Sequence, residues 1–291
     1  MTPRQSVETR TGSGTRTGSG SRWLLLALAV CLAVLSSAAG PVAADSETPH
    51  LWVFSRTDGF RHGSIEHSQQ VISDLAASTG AFTVEFSEDT ADLTADLLER
   101  TDAILFANTT GEHPFSEAQK TMFVDWLLDG GGFMGIHAAA DTNYQWPEYQ
   151  ELVGAAFESH PHNGNQMGGL LLDRATVQVE DTTHPITAAW EGAETFQMRE
   201  EYYRWRQNPR GTQDVHVLLS LDETSTYTGF GRLGAISPAY DDDQPLEWTK
   251  SFRGANRVWY TNLGHYDGTF DDARWQTHFV AALEWVTTSD G

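Results

Sequence analysis

Short apolar segments that alternate with helical patterns are the feature that most constrains the fold of this chain. Leu51–Phe54, Ala103–Phe106 and Phe133–Ile136 are apolar or small throughout, as expected of strands buried on both faces. Residues 65–78 and the segment after Ser116 carry apolar side chains at helical spacing. This order of strand, helix and strand requires right-handed crossovers and therefore predicts a mostly parallel sheet in an α/β fold.

The ends of these elements are marked by local signals. Ser116 and Gln119 have the spacing of a capping box at the start of a helix. Gly130–Gly132 end that helix, and Phe82–Phe86 alternates like a further strand.

The pattern changes after residue 150, where we predict a β-rich insertion. We predict strands over 166–180, 213–221, Leu246–Trp248 and Arg257–Tyr260, and a closing helix over 272–287. With no repeat and no linker in the sequence, the simplest interpretation is one domain over residues 45–291.

The first 44 residues are predicted to be a signal peptide. A polar, arginine-containing start precedes the 13-residue apolar run Trp23–Leu35, and Val42–Ala44 suits signal-peptidase cleavage before Asp45. Such a run is too short to span a bilayer, which takes about 20 residues. We therefore expect a protein secreted by a Sec-type route, with an uncleaved anchor as the alternative and with no membrane contact after cleavage.

Charge restricts the partners of the remaining chain. The first 44 residues hold four arginines and one glutamate, so 14 basic and 39 acidic residues follow them. A surface this acidic repels nucleic acid and anionic membranes but is compatible with neutral sugars. The single cysteine, Cys31, lies in the predicted signal peptide, so we expect neither disulfides nor a thiol nucleophile.

The segment GGGFMGIHAAADTNY at residues 130–144 is the best candidate for a functional site. His137 stands where a predicted buried strand ends, and ligands of open α/β sheets bind at the carboxyl ends of the strands. Asp141, Tyr144 and Trp146 follow closely, and the two aromatic rings are candidates to stack on a sugar, with packing in the core as the alternative. The alternative is a structural histidine that bonds a neighbouring carbonyl.

Further polar clusters follow other predicted strands. Arg61 and His62 lie after the first strand and Thr110 after the third, while His265 repeats the glycine-preceded strand-end pattern of His137. If the sheet is doubly wound, loops after its first, third and fourth strands converge. We therefore expect His137 and His265 to lie in one cleft.

Two pairs of residues add candidate ligands. His160 and His162 are two residues apart and are predicted to face the same side of an extended segment, where they suit a metal or a substrate. Glu200 and Glu201 are adjacent at a strand end, so we expect one to enter the pocket and the other to face solvent. Solvated loop histidines and surface carboxylates are the respective alternatives.

Several reaction classes are disfavoured by the motifs. The chain has no glycine-rich phosphate loop, no G-x-S-x-G elbow and no HExxH. Histidine and carboxylate chemistry remains, with or without a divalent metal such as Zn or Mn.

Several motifs in order resemble the ThuA-like (trehalose utilisation) family over nearly all of residues 45–291. These are FSRTDGFRHGSIEHS at 54–68, FANTTGE at 106–112, GGGFMGIHAAADT at 130–142, LVGAAFESHP at 152–161, EEYYRW at 200–205 and WYTNLGHYDGTF at 259–270. The resemblance implies a class I glutamine amidotransferase-like fold, a flavodoxin-like three-layer sandwich. It also implies a role in processing trehalose or oxidised 3-keto sugars. His137 occupies the place of the amidotransferase cysteine, so thiol amidase chemistry is ruled out.

We therefore expect a carbohydrate-active isomerase, lyase or hydrolase that acts on a disaccharide or keto-sugar. The predicted catalytic residues are His137, His265 and Glu200, with either histidine as general base. The predicted substrate-binding residues are Arg61, His62, Thr110, Asp141, Tyr144, Trp146, His160 and Glu201, and the predicted metal ligands are His160 and His162. Two alternatives remain open: a non-catalytic sugar-binding or cell-surface accessory protein, and a metal-dependent hydrolase with His137, His160, His162 and Glu200 as ligands. The sequence does not specify the sugar or the oligomeric state.

Overall fold

Residues 48–160, 174–228, 237–238 and 242–288 are described by a computed structural model of the chain. The predicted signal peptide therefore lies outside the described residues. The strands are β1 (His50–Phe54), β2 (Thr83–Ser87), β3 (Ala103–Ala107), β4 (Gly132–Ile136), β5 (Phe157–Ser159), β6 (Arg174–Val179), β7 (Thr195–Arg199), β8 (Arg204–Trp205), β9 (His216–Leu221), β10 (Tyr227–Thr228), β11 (Ser237–Pro238), β12 (Pro245–Lys250) and β13 (Val258–Thr261). The α-helices are α1 (Ile65–Thr79), α2 (Ala95–Glu99), α3 (Glu117–Leu128), α4 (Pro147–Val153), α5 (Asp267–Phe270) and α6 (Ala273–Thr287).

Within the described part of the chain, nine strands form one mixed sheet in the order β2-β1-β3-β4-β13-β12-β9-β6-β7. The five strands from β2 to β13 in this order are parallel, and the remaining four are antiparallel to their neighbours. The parallel half has the flavodoxin-like order in which β1 lies between β2 and β3. The predicted α/β class with a mostly parallel core is confirmed.

Both faces of the parallel half are buried because successive side chains of each strand point to opposite sides. Leu51, Leu105 and Ile136 face one hydrophobic cluster with α6, while Trp52 and Phe106 face the other with α3 and α4. Helices thus cover both sides of the sheet, which confirms the predicted three-layer sandwich.

The β-rich segment after residue 150 extends this same sheet. Strands β6, β7, β9 and β12 add to it beyond β13, so the predicted insertion widens the core. The strand predicted over 166–180 corresponds to β6, which begins at Arg174; its earlier part lies outside the described residues. No α-helix in the described ranges combines the length and the apolarity needed to cross a membrane.

A buried ionisable pair joins the antiparallel half of the sheet to α6. His278 Nε2 lies 2.8 Å from both Glu247 carboxylate oxygens, and both side chains are fully buried. Since β12 carries Glu247 and α6 carries His278, the pair joins two layers. His278 is thus a structural residue of the core.

Removing one member of this pair should destabilise the fold strongly. His278→Leu leaves Glu247 buried without its partner, so we expect a loss of about 3–5 kcal/mol in the free energy of unfolding. The exposed pair of His67 and Asp271, also 2.8 Å apart, is the matched control, and His67→Leu should cost about 1 kcal/mol or less. Urea unfolding measures both. Equal costs for the two variants would contradict this role of the buried pair.

Candidate active site

The site lies where the parallel strands β1, β3, β4 and β13 end. The loop after β1 carries His62, Asn108 follows β3, His137 follows β4, and the loop after β13 carries His265. Because these four strands are adjacent in the sheet, their loops meet at one edge. The edge strand β7 sends Glu200 and Glu201 to the same place.

His137 is held in an unusual backbone conformation. It is the first residue after β4 and has a φ of 49°, which few residues other than glycine adopt. Its carbonyl accepts a hydrogen bond of 2.6 Å from the Tyr260 hydroxyl, and its side chain is fully buried. Such strain persists only where the surroundings enforce it, which is typical of functional sites.

One hydrogen bond determines the tautomer of His137. Its Nδ1 lies 2.7 Å from the Asn262 carbonyl oxygen, which can only accept, so Nδ1 carries the proton. In this tautomer Nε2 is the nitrogen that can accept a hydrogen bond or bind a metal. Metal-binding histidines are commonly oriented in this way, with the second nitrogen donating to a carbonyl.

The second ring nitrogen of His137, Nε2, faces a compact group of polar atoms. This atom lies 3.2 Å from His265 Nδ1, 3.4 Å from Glu201 Oε2 and 3.0 Å from the Tyr203 hydroxyl oxygen. His265 Nδ1 is also 3.2 Å from Glu201 Oε2. The predicted convergence of His137 and His265 in one cleft is therefore confirmed.

His62 closes one side of the group. Its ring packs edge-on against His137 and His265 with centroids 4.9 and 5.1 Å away, and only 4% of the residue is exposed. Burial, together with the neighbouring imidazoles, lowers the pKa of His62 to about 2. His62 is thus neutral, and its Nδ1 has no hydrogen-bond partner among the described residues. A buried nitrogen without a partner is costly unless a ligand satisfies it.

Glu201 supplies the negative charge. Burial alone would raise its pKa, but the adjacent imidazoles of His137 and His265 outweigh burial and hold the pKa well below its ordinary value. For His265, burial alone would lower the pKa, yet the hydrogen bond and charge of Glu201 raise it above the ordinary value. The group therefore combines one carboxylate with three imidazoles.

These four residues fit a divalent cation. One ligand atom from each of His62, His137, Glu201 and His265 lies within 4.8 Å of the others. Ligands at about 2.0–2.1 Å from a tetrahedral Zn²⁺ are about 3.4 Å apart, and the separations of 3.2 and 3.4 Å around Glu201 Oε2 match this value. Three imidazoles and one carboxylate suit Zn²⁺ or Mn²⁺.

Glu200 has a supporting position and does not enter the cleft. It is fully buried, and it accepts hydrogen bonds from the backbone N–H of Gly264 and His265 at 2.8 and 3.0 Å and from the Thr269 hydroxyl. Burial raises its pKa, an effect that these donors oppose. The predicted catalytic role of Glu200 is therefore corrected to positioning of His265. Glu201, which was expected only to contact substrate, occupies the cluster.

Of the other predicted site residues, His160 lies beside the cluster, and Asp141 is paired with Tyr144. His160 Nε2 lies 3.3 Å from Glu201 Oε1 at the outer side of the cluster, while His162 lies outside the described residues. Burial raises the pKa of Asp141, whose carboxylate accepts a 2.6 Å hydrogen bond from the Tyr144 hydroxyl. Tyr144 also packs under the guanidinium of Arg206.

Three predicted contacts with substrate are corrected. Arg61 points to Glu66 and Glu88, each 2.8 Å away, and not to the cluster. The Thr110 hydroxyl donates to the Phe60 carbonyl and supports the loop after β1. Trp146 is 4% exposed and packs in the core against Phe115 and Phe123, so it cannot stack on a sugar. Trp146 directly precedes α4 and packs into the core with that helix, so it lacks the exposure expected of a loop residue.

Two residues of the site were given no role by the sequence analysis. Tyr203 places its hydroxyl beside His137 Nε2, and Asn262 supplies the carbonyl that orients the same ring. Tyr203 directly follows the Glu-Glu-Tyr sequence at a strand end, and Asn262 directly follows β13. Position after a strand was the available signal for both residues. For Tyr203, the many other aromatic residues of the chain concealed that signal.

A separate cleft lies near the amino ends of β4 and β13. Its lining includes Lys250, Arg257 and Trp285. Lys250 Nζ is bonded to the Glu151 carbonyl, and the Arg257 guanidinium donates to the Trp285 carbonyl. These cations already hold the backbone together, so we place the chemistry at the histidine cluster.

Comparisons with known proteins agree with this architecture. The family model described as ThuA, trehalose utilisation, matches residues 50–286. A crystal structure of a ThuA-like protein from Bacteroides uniformis ATCC 8492 is similar, with a TM-score of 0.64, 24% identity, and coverage of 85% of this chain and 95% of that one. A ThuA-like protein from Parabacteroides merdae ATCC 43184 has a TM-score of 0.61 and 18% identity, with coverage of 82% and 90%. No curated protein matches the chain. At these identities the likeness shows the fold alone.

Gly264 should be essential for the position of His265. Its φ is 134°, and a Cβ there would lie 2.6 Å from Ile136 Cγ2. We expect Gly264→Ala to cost about 1–3 kcal/mol of stability and to weaken metal binding. Gly268→Ala is the matched control, since no atom lies within 4 Å of its added Cβ. Thermal unfolding and calorimetric metal titration test both variants. Normal metal affinity in Gly264→Ala would refute the expectation.

Proposed function

Because this chain belongs to the ThuA (trehalose utilisation) family, we propose that it is a carbohydrate-processing enzyme built around one divalent cation. The observation that carries the proposal is the convergence of His62, His137, Glu201 and His265. A neutral imidazole without a partner, an oriented His137 lone pair and a carboxylate that stays ionised are the donors that Zn²⁺ or Mn²⁺ requires.

The substrate that this site suits best is a disaccharide or keto-sugar. The segment after residue 44 has 14 basic and 39 acidic residues, which disfavours anionic ligands and leaves neutral polyhydroxylated ones. The family description, trehalose utilisation, supports the same class. Export by the predicted signal peptide belongs to this proposal, so the substrate would be met outside the cytoplasm.

When bound, the cation would polarise a carbonyl oxygen of the substrate and so acidify the neighbouring C–H bond. His160 is the proposed proton acceptor, since its side chain is 34% exposed beside the cluster and its Nε2 lies 3.3 Å from Glu201 Oε1. Donation from Nε2 to that carboxylate makes Nδ1 the acceptor nitrogen of the ring. The C–H proton would pass to the imidazole, and the electron pair of that bond would be delocalised onto the carbonyl oxygen. Return of the proton to the former carbonyl carbon, with loss of the proton of the adjacent hydroxyl to form a new carbonyl, gives isomerisation. Departure of a glycosidic oxygen from the carbon next to the deprotonated one, with the imidazole returning its proton to that oxygen, gives elimination.

This assignment revises the expected general base. His137 Nε2 and His265 Nδ1 face each other and Glu201 Oε2, which is the arrangement expected of metal ligands. His160 lies outside this set of four and is the more exposed. The Tyr203 hydroxyl, 3.0 Å from His137 Nε2, is placed to hydrogen bond with a substrate oxygen.

The cation site should be measurable directly. Protein stripped with chelator should bind one equivalent of Zn²⁺ or Mn²⁺ in calorimetric titration. Glu201→Gln, which removes a ligand charge, should weaken binding by more than about 100-fold, and Glu200→Gln, which affects only the support of His265, by about 10–100-fold. His216→Gln, which changes a surface pair with Asp181, is the control. The absence of stoichiometric binding by the unmodified protein would overturn the metal centre.

Turnover should be tested with oxidised and unoxidised disaccharides, with and without Zn²⁺ or Mn²⁺, and products read by mass spectrometry. We expect metal-dependent conversion of a keto-disaccharide. His160→Ala should lower kcat by about 10²–10⁴-fold while metal stoichiometry stays at one. His67→Ala, another half-exposed histidine paired with a carboxylate, should keep full activity. Unchanged kcat in His160→Ala would remove its role as base, and binding without any product would favour a sugar-binding protein.

A further inference from the structure

Phe60 is an exposed aromatic residue beside the cluster. It is 66% exposed, and among the described residues only Phe60 and Leu128 are large hydrophobic side chains classed as exposed. Phe60 lies in the loop of residues 55–64 between β1 and α1. A single exposed aromatic ring is common on protein surfaces, and what distinguishes Phe60 is its direct contact with His62 of the cluster.

The loop that carries Phe60 is firmly held. Asp58 accepts hydrogen bonds from Arg56 Nε at 2.6 Å and pairs with His113 Nδ1 at 2.9 Å. The Thr110 hydroxyl donates to the Phe60 carbonyl at 2.8 Å, and the Asp58 N–H donates to the Thr110 carbonyl at the same distance. The aromatic ring is therefore attached to a backbone whose position is fixed by several contacts. Because the backbone is already ordered, the entropic cost of ordering this loop on ligand binding is small.

The Phe60 ring contacts the cluster at its outer member, His62. It packs edge-on against His62, with centroids 4.9 Å apart and an interplanar angle of 86°. His62 in turn packs edge-on against His137 and His265. A ligand whose reacting group lies at the cluster and which extends outward past His62 would therefore meet the Phe60 ring.

We infer that Phe60 forms a second sugar subsite, on which the apolar C–H face of the non-reacting ring of a disaccharide stacks. This inference rests on the proposed function and specifies its substrate as at least two rings long. A saccharide ring has an apolar face bounded by hydroxyl groups, and such a ligand suits a phenyl ring next to polar side chains. The subsite takes the role that the sequence suggested for Trp146.

The test is the affinity for sugars of different length, measured by calorimetry on the metal-loaded full chain. Phe60→Ala should weaken binding of a disaccharide by about 10-fold, the loss expected when one partly buried aromatic contact is removed. Binding of the matching monosaccharide should change by less than about 2-fold, because that ligand lacks the second ring. Phe60→Trp should retain disaccharide affinity. Leu128→Ala is the matched control, since Leu128 is also exposed but lies at the end of α3.

The outcomes separate this inference from the proposed function. Equal disaccharide affinity in Phe60→Ala and the unmodified protein would overturn the subsite, while metal binding and turnover would still support the enzyme. An equal loss for monosaccharide and disaccharide would also overturn it, because Phe60 would then act on the first ring or on the cluster. If the unmodified protein binds no saccharide, the subsite is overturned, and the metal titration decides separately whether the cation centre exists.

Discussion

The backbone of Gly264 makes the contacts on which the site depends. Its N–H donates to buried Glu200, and its carbonyl accepts from Ser64 Oγ and from Asn108 Nδ2 at 3.0 and 3.1 Å. One residue thus connects the start of α1, the end of β3, the end of β7 and the loop after β13. Because these hydrogen bonds are buried, loss of any one leaves a polar group unsatisfied at a cost of about 1–3 kcal/mol. Because His265 is the next residue in the chain, these contacts also fix the position of its imidazole.

Burial fixes the loops of the site, but it also creates a conflict over the charges of the histidine cluster. Three imidazoles share a small volume with one carboxylate, and burial works against a charge on His62 while Glu201 favours a charge on His265. A divalent cation would resolve this conflict, since it bonds the neutral lone pairs and offsets the carboxylate. The site is thus better matched to a bound cation than to free histidines.

The residues at the strand ends show how far sequence reasoning extends. His137 and His265 were predicted to meet, because each follows an apolar strand and parallel strands share one edge. Glu200 was predicted to be catalytic, yet it supports the loop of His265 while Glu201 joins the cluster, because adjacent residues at the end of a strand turn according to the loop that receives them. Trp146 was assigned to the cleft, yet it lies in the core; exposed Phe60 went unnoticed, because apolarity alone does not report burial.

The amino-acid order by itself determined the α/β class, the parallel core and the strand ends at which chemistry is placed, since these follow from local periodicity and crossover handedness. Only the tertiary structure decided which donors share the cluster. His62, His137, Glu201 and His265 are brought together by loops whose paths depend on buried hydrogen bonds between residues far apart in the chain. No local pattern encodes those bonds, because their energy depends on exclusion of water by the complete fold.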